Sequence, residues 1–498
     1  MQIKFGVKAK KSDDLTPQEN VVWEYRKAVN AHMAVLGMSG AGKSFQLRSA
    51  ISQVLESNAV PGCRIFVYDV HGDLTIDGAS DVMFSMQTSY GLNPLKISAD
   101  PHFGGPRRTI QNFISTMNRC LRVLGVKQES CLRHLLFDVY ARHGFTEDPR
   151  TWRIEPNAKR LVNNGSNRIY IDCPSSDKDA LRSLCANARY DTTAYSWWVP
   201  SAEYQGAVTR WPPKLIDRTY PTISDVLTYA KYVLHQAFTG ADAEAISYLE
   251  VANKAAKALR AKKLAVLKSS KAEFVDEGLH ESLDKARKKS IDAYTDYVKR
   301  IVTGAELNDL LKYNSNDVLV SVIERLESLI AIGVFKDKAP PFDPTKSVWR
   351  FDLRALSLKE EKKLFVMFHI LQIFQHCVSL GETNELRYIL VLDEGHMYTS
   401  SNSKGDEASP IDILANEGRK FGLGLWVASQ SPTHFNDDFM TSVGTKVILG
   451  IDESFWKSSA SKLNLDVKGF EWIRMQKNMI VQIKCKGDSK SNWVCTNL

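Results

Sequence analysis

The run Gly37-Met38-Ser39-Gly40-Ala41-Gly42-Lys43-Ser44 constrains this chain more than any other feature. It satisfies the pattern G-x-x-x-x-G-K-[ST] in full. Met33 to Gly37 (MAVLG) is an apolar run without polar alternation, which suits a strand buried on both faces of a parallel sheet. The stretch SFQLRSAISQVLES that follows repeats its apolar residues at helical spacing. Glycines in a turn between such a strand and helix let backbone N–H groups close around phosphates, and the helix N-terminus adds a dipole that favours anions. Residues Gly37, Met38, Ser39, Gly40, Ala41, Gly42, Lys43, Ser44 and Phe45 are therefore the expected cradle for ATP. Lys43 is expected to reach the β- and γ-phosphates, and the Ser44 hydroxyl to ligate Mg²⁺.

A second signal lies far along the chain. Tyr388 to Leu392 (YILVL) is another buried strand, and it runs into Asp393 and Glu394. This places two carboxylates at the C-terminal edge of a sheet, where open α/β folds bind ligands. Asp393 is expected in the Mg²⁺ shell, and Glu394 to orient and deprotonate the attacking water. Acids after a strand also serve as plain helix caps. A phosphate loop in the same chain favours the catalytic role. A third signal is Asn416 to Gly422 (NEGRKFG), followed by the strand Gly424 to Ala428 and then Ser429-Gln430. Gln430 is a candidate sensor of the γ-phosphate. Arg419 is a candidate arginine finger for a neighbouring subunit, or a solvated charge at a helix end.

Between these signals the patterning changes. Arg64 to Val70 (RIFVYDV) completes a strand–helix–strand start for an α/β sheet. Arg107 to Tyr140, Asp225 to Phe238 and most of Ala241 to Ile330 then read as amphipathic helix. Inside them Arg168 to Pro200 reads strand, helix, strand, ending in Trp197-Trp198-Val199-Pro200. Sheet character returns at Val348 to Leu353. Ser357 and Glu360 have capping-box spacing at the start of a helix over Glu360 to Cys377. A strand at Lys446 to Leu449 and a hairpin around Gly487-Asp488 follow. The fold expected is an α/β, RecA-like P-loop NTPase core split into residues 1–100 and 346–498. A mainly helical insertion fills 101–345, with a small α+β module at 166–202.

Charge and cysteine usage narrow the setting. The formal charge is +8 over 498 residues, a surplus that permits a polyanion partner without demanding one. Lys254 to Lys271 holds seven basic residues (254, 257, 260, 262, 263, 268 and 271) and no acid, and suits either a DNA path or a solvated helix. No two of the eight cysteines lie within four residues of each other, which excludes a compact zinc pattern and suits buried, reduced thiols. Met1 to Leu15 lacks the apolar core of a signal peptide, and no run approaches the ~20 apolar residues that span a bilayer. A cytoplasmic protein without direct membrane insertion is expected.

The whole set resembles the HerA/FtsK superfamily of hexameric motor ATPases. The matching pieces are Asn30-Ala31-His32, GMSGAGKS, Asp69-Val70-His71-Gly72-Asp73, LDEGH at Leu392–His396 and EGRKFG-x-G-L at Glu417–Leu425. They cover roughly residues 20–100 and 345–498. The insertion, with Asn93-Pro94-Leu95 and the stretch Leu124 to Tyr140, is similar to that of conjugation-type ATPases in the superfamily. The resemblance implies a homo-hexamer with ATP between subunits, Arg419 acting in trans and Gln430 as sensor. It implies DNA as partner, and a translocase or helicase-like ATPase of mobile elements, conjugation or phage defence. It also admits a cytosolic assembly ATPase of a conjugation or secretion channel, or an ATP-gated scaffold controlling a partner nuclease. Two departures stand out: the loop begins at Gly37, which leaves little room for the β-barrel HerA proteins use in assembly, and no anchor like that of FtsK is expected. The Arg168–Pro200 piece resembles a small module found beside plasmid primases. Its Tyr190 and Trp198 suit stacking on single-stranded bases, or filling of the module's own core.

Overall fold

One large sheet carries the chain, and its strands come from both ends of the sequence. The computed structural model describes residues 1–10, 18–57, 62–162, 168–191, 195–239, 243–268, 276–299, 312–313, 315–399 and 409–498. The first part supplies β1 (Gln2–Lys8), β2 (Asn20–Glu24), β3 (Met33–Gly37), α1 (Lys43–Ser57), β4 (Arg64–Asp69) and β5 (Ser80–Met83). The middle supplies helices α2 (Gly105–Cys120) and α3 (Val126–Arg142), then the module with β6 (Lys159–Leu161), β7 (Arg168–Ile171), α4 (Lys178–Leu184), β8 (Arg189–Asp191), β9 (Ser196–Pro200) and β10 (Leu215–Asp217). Helices α5 (Ile223–Thr239), α6 (Ala243–Lys268), α7 (Glu277–Lys299) and α8 (Asn316–Ala331) follow. The return supplies β11 (Val348–Asp352), α9 (Lys359–Ser379), β12 (Tyr388–Leu392), β13 (Leu423–Ser429), β14 (Thr445–Gly450), β15 (Asn478–Ile483) and β16 (Trp493–Asn497).

The sheet order is β2-β1-β16-β15-β14-β3-β13-β12-β4-β11-β5. From β14 to β5 every pairing is parallel, and from β15 outward every pairing is antiparallel. Strand β13 lies between the loop strand β3 and the acid strand β12, which brings the C-terminal ends of all three together. This is the architecture of a RecA-like P-loop core.

Side chains of the central strands alternate between two cores. Val35, Val67 and Val391 share one cluster with Leu47 and Ile51 of α1. Leu36, Phe66, Leu390 and Leu392 share the other with Ile110, Phe113, Leu135, Val226 and Leu326. The insertion helices α2, α3, α5 and α8 are therefore packed onto one face of the sheet rather than set apart from it. Burial on both faces is why these strands read as unbroken apolar runs.

Several local expectations shift. The helix read over Arg107 to Tyr140 is two helices. Between them the Asn118 side chain accepts from the Leu124 N–H, and the Gln128 side chain accepts from Gly125. The expected capping box of Ser357 and Glu360 does not form: the N-cap of α9 is Leu358, which has no side-chain acceptor, and only Glu361 bonds back, accepting from the N–H of Leu358 at 3.2 Å. Strand β1 and the edge strands β2 and β5 have no counterpart in the sequence reading. The module's core takes in Val208 and Trp211, beyond residue 202, and the β6–β10 ladder closes its neck. Trp197 fills that core, while Tyr190 is half exposed and packs edge-on against Trp197 at 5.6 Å. Among the described residues no helix is long and apolar enough to cross a membrane.

One buried ion pair links the two halves of the core. Arg350 on β11, 5% exposed at its side chain, donates to Asp69 at the end of β4 at 2.8 Å and reaches Asp81 at 3.2 Å. Removing one partner of such a pair leaves an uncompensated buried charge. Arg350→Ala is expected to destabilise the fold by about 3–5 kcal/mol, read as a lower urea midpoint. An unchanged midpoint would mean that Asp69 is neutral or solvated in the folded chain.

Candidate nucleotide and metal site

The loop between β3 and α1 turns through Gly40 and Gly42, at φ of 78° and 98°. No atom lies within 4 Å of a Cβ built at either position, so backbone conformation rather than space calls for glycine there. Met38 and Ala41 pack into the cluster beneath the loop, so these two residues contribute backbone and their side chains support it. Lys43, buried at the start of α1, lies across the loop and donates to the carbonyls of Gly37 at 2.9 Å and Met38 at 3.2 Å.

Ser44 donates from Oγ to Asp73 Oδ2 at 2.7 Å. Asp73 is carried by the turn after β4, and the Asp69 carboxylate shapes that turn. Asp69 Oδ1 accepts from the N–H groups of His71 and Gly72, and Oδ2 from that of Leu74 and from Arg350. Ligand atoms of Asp69, Asp73 and Asp393 all lie within 4.8 Å of one another. Asp69 is occupied by its own turn and Arg350, which leaves Asp393 and the hydrogen-bonded pair Ser44 and Asp73 as the oxygen donors facing the cavity. Burial, with the Asp73, Glu394 and Asp69 carboxylates close by, pushes Asp393 up to about 7. Hard oxygen donors crowded so closely that a carboxylate resists ionising fit a small divalent cation such as Mg²⁺. Asp73 was not among the metal ligands expected from sequence. Its signal was the VHGD turn after a buried strand.

Glu394 leaves β12 in the left-handed region, at φ 53° and ψ 52°. Such a conformation costs on the order of 1–3 kcal/mol in a residue with a side chain. The next position has to be small, because a Cβ on Gly395 would come 3.0 Å from Val427. Glu394 Oε2 stands 3.0 Å from His396 Nδ1, in ion-pair range but without hydrogen-bond alignment, and Oε1 stands 3.9 Å from His71 Nε2. The contact with His396 holds the Glu394 carboxyl below its ordinary range against the opposing effect of burial.

Gln430, exposed at the end of β13, lines the same cavity as Lys43, Ser44, Asp73, Asp393 and Glu394, a space of about 660 Å³. Ser429 beside it contacts His434 Nδ1 at 2.9 Å, and the His434 ring lies 5.1 Å from that of His396. A polar chain thus joins the end of β13 to Glu394. Sequence reasoning missed His434, and also Arg48 and Lys359, which line the cavity. Arg48 has a buried Nε without a hydrogen bond there, a donor suited to a phosphate oxygen. Phe45 is 58% exposed at the rim and offers a flat apolar face to a base.

Arg419 is elsewhere. It sits in the turn Gly418–Phe421, at the N-terminal end of β13. Seven residues of β13 separate that turn from Gln430, roughly 20 Å of strand. Arg419 lines a second cavity of about 310 Å³ with Tyr25, Arg26, Asn30 and Lys486. The structure does not bring it to the nucleotide cavity of its own chain.

Residues 17–99 match the model for the family described as Helicase HerA, central domain. The DNA double-strand break repair helicase HerA of Pyrococcus furiosus is 31% identical over 83 residues, 16% of this chain and 15% of that protein. The protein of the same name from Saccharolobus solfataricus is 31% identical over 83 residues, 16% of this chain and 17% of that protein. The matched stretch is thus about a sixth of each of these relatives. Among solved structures, VirB4 of Thermoanaerobacter pseudethanolicus aligns with a TM-score of 0.54 at 14% identity, covering 100% of this chain and 95% of that one, a likeness of fold. With the loop, the acid strand and the sheet order in place, the chain has a RecA-like P-loop NTPase core, and its residues 17–99 are similar to the central domain of HerA helicases.

Proposed function

We propose that this chain hydrolyses Mg-ATP and uses the cycle to move along or remodel DNA, as a homo-hexamer with ATP between subunits. One observation carries the nucleotide chemistry. The P-loop lysine and serine, Asp73, Asp393, Glu394 and Gln430 line a single cavity, although Ser44 and Asp393 are separated by most of the chain. Ser44, Asp73 and Asp393 would hold Mg²⁺, which would supply neutralising charge to the phosphates. The N–H groups of the loop and Lys43 fix the phosphates. Glu394 accepts a proton from the attacking water, and Gln430 donates to the γ-phosphate. Support for DNA comes from the relatives, whose names describe DNA repair helicases, over the shared 83 residues.

Phosphate release measured with and without single- and double-stranded DNA, at two salt concentrations, tests both parts. The expected result is a basal ATPase rate that DNA raises, with stimulation falling steeply as salt rises. A rate indifferent to DNA would sink the DNA coupling and leave hydrolysis standing. No phosphate release would sink the whole.

A further inference from the structure

Helices α6 and α7 form an antiparallel hairpin that the nucleotide site does not explain. They pack along each other, and among the described residues no other element packs along either. On α7 only Leu283, Ala286 and Ser290 are buried. The 26 residues of α6 make a rod of about 39 Å. From Asn253 to Lys268 this rod carries basic residues and no acid. Lys262 is paired with Asp276. Lys254, Lys257, Arg260, Lys263 and Lys268 are exposed and have no ion pair among the described residues. Lys271, the last cation of this run, lies outside the described residues. At 3.6 residues per turn Lys254, Lys257 and Lys268 fall within one wedge of about 60° opposite the seam, with Arg260 on its flank. Ala258, Ala261 and Ala265 lie on the same outer side, so the rod is thin between its cations and a charged strand can approach closely.

We propose that the α6–α7 hairpin is a nucleic-acid arm, whose free cations on α6 neutralise backbone phosphates of duplex DNA without reading sequence. This deepens the DNA-motor proposal above and rests on it. Unpaired cations held apart on a rigid rod match a polyanion with regularly spaced charge. A helix lying on an anionic membrane would need a continuous apolar stripe beside its cations. Here the apolar stripe is spent on the hairpin seam, and at the tip only Leu264 and Leu267 are exposed alongside the cations.

The test compares the full chain with a variant carrying Lys254→Gln, Lys257→Gln, Arg260→Gln, Lys263→Gln and Lys268→Gln. Anisotropy of labelled duplexes of two unrelated sequences is read across a salt series, with basal ATPase as the control for folding. Each phosphate left without its cation is expected to flatten the plot of log affinity against log salt by about 0.9, equally for both sequences, with binding at physiological salt falling about tenfold or more. Basal ATPase is expected to stay unchanged. An unaltered slope in a variant that keeps its ATPase overturns the arm and leaves the DNA motor intact. If the variant binds DNA normally but loses binding to vesicles containing phosphatidylserine, the hairpin is a membrane face and the proposal fails. If the unmodified chain binds neither duplex, the DNA-motor proposal fails and the arm with it, while the ATPase rate still reports on the nucleotide site.

Discussion

Glu394→Gln is expected to slow ATP turnover by about 10²–10⁴-fold while nucleotide binding persists. The expectation follows from where the carboxylate stands. Glu394 projects into the cavity from the end of β12, but the cradle itself is made by the loop backbone, Lys43 and Ser44. An amide of the same shape keeps the left-handed backbone at position 394 and the fit of Gly395 under Val427. It cannot accept the proton of the attacking water. Asp73, Asp393 and Ser44 are left as they were, so the cation and the phosphates keep their partners. Phosphate release and equilibrium binding of a fluorescent ATP analogue, measured on the same sample, separate the two effects. A variant that no longer binds the analogue would make Glu394 a nucleotide-holding group and leave the base unassigned.

The phosphate loop was legible because its chemistry is contiguous: eight neighbouring residues dictate one turn between one strand and one helix. The acid pair was legible for a similar local reason, an unbroken apolar strand ending in two carboxylates. Asp73 was harder. Its place beside Ser44 depends on a turn held by Asp69, and Asp69 is in turn paired with Arg350, on a strand far along the sequence. No local pattern announces a pairing of that range. The edge strands β2 and β5 are short, and β5 buries only Val82; β1, beside β2, is longer, but its ladder with β2 shifts register between Lys4 and Gly6. Apolar periodicity carries across Leu121 to Gly125 without marking the break between α2 and α3. At the start of α9 the N-cap position falls on Leu358, whose apolar side chain accepts nothing, so the Ser357–Glu360 pattern is not used and only Glu361 bonds back to the cap N–H. The module extends past its expected end because Trp211, after a stretch with little pattern, completes its core.

Arg419→Ala alone is expected to cut turnover by about 10³–10⁵-fold, and mixing it with Lys43→Ala subunits is expected to restore part of the rate. Arg419 sits on the turn that feeds β13, and Gly422 ends that turn at φ 74°, where a Cβ would come 2.4 Å from the Glu385 carbonyl. The turn is thereby fixed at the sheet edge opposite the P-loop, roughly 20 Å of strand from Gln430. A side chain cannot cross that distance, so any catalytic role for Arg419 requires the nucleotide of another copy. In a mixed ring an Arg419→Ala subunit still offers an intact P-loop, and a Lys43→Ala neighbour still offers its arginine. Random mixing in equal amounts makes about a quarter of head-to-tail interfaces productive, which sets the ceiling of the recovered rate. The readout is phosphate release from co-refolded mixtures against each variant alone. A mixture no faster than the sum of its parts, with each variant folded and binding ATP as its site allows, would leave Arg419 as a solvated charge steadied by its turn.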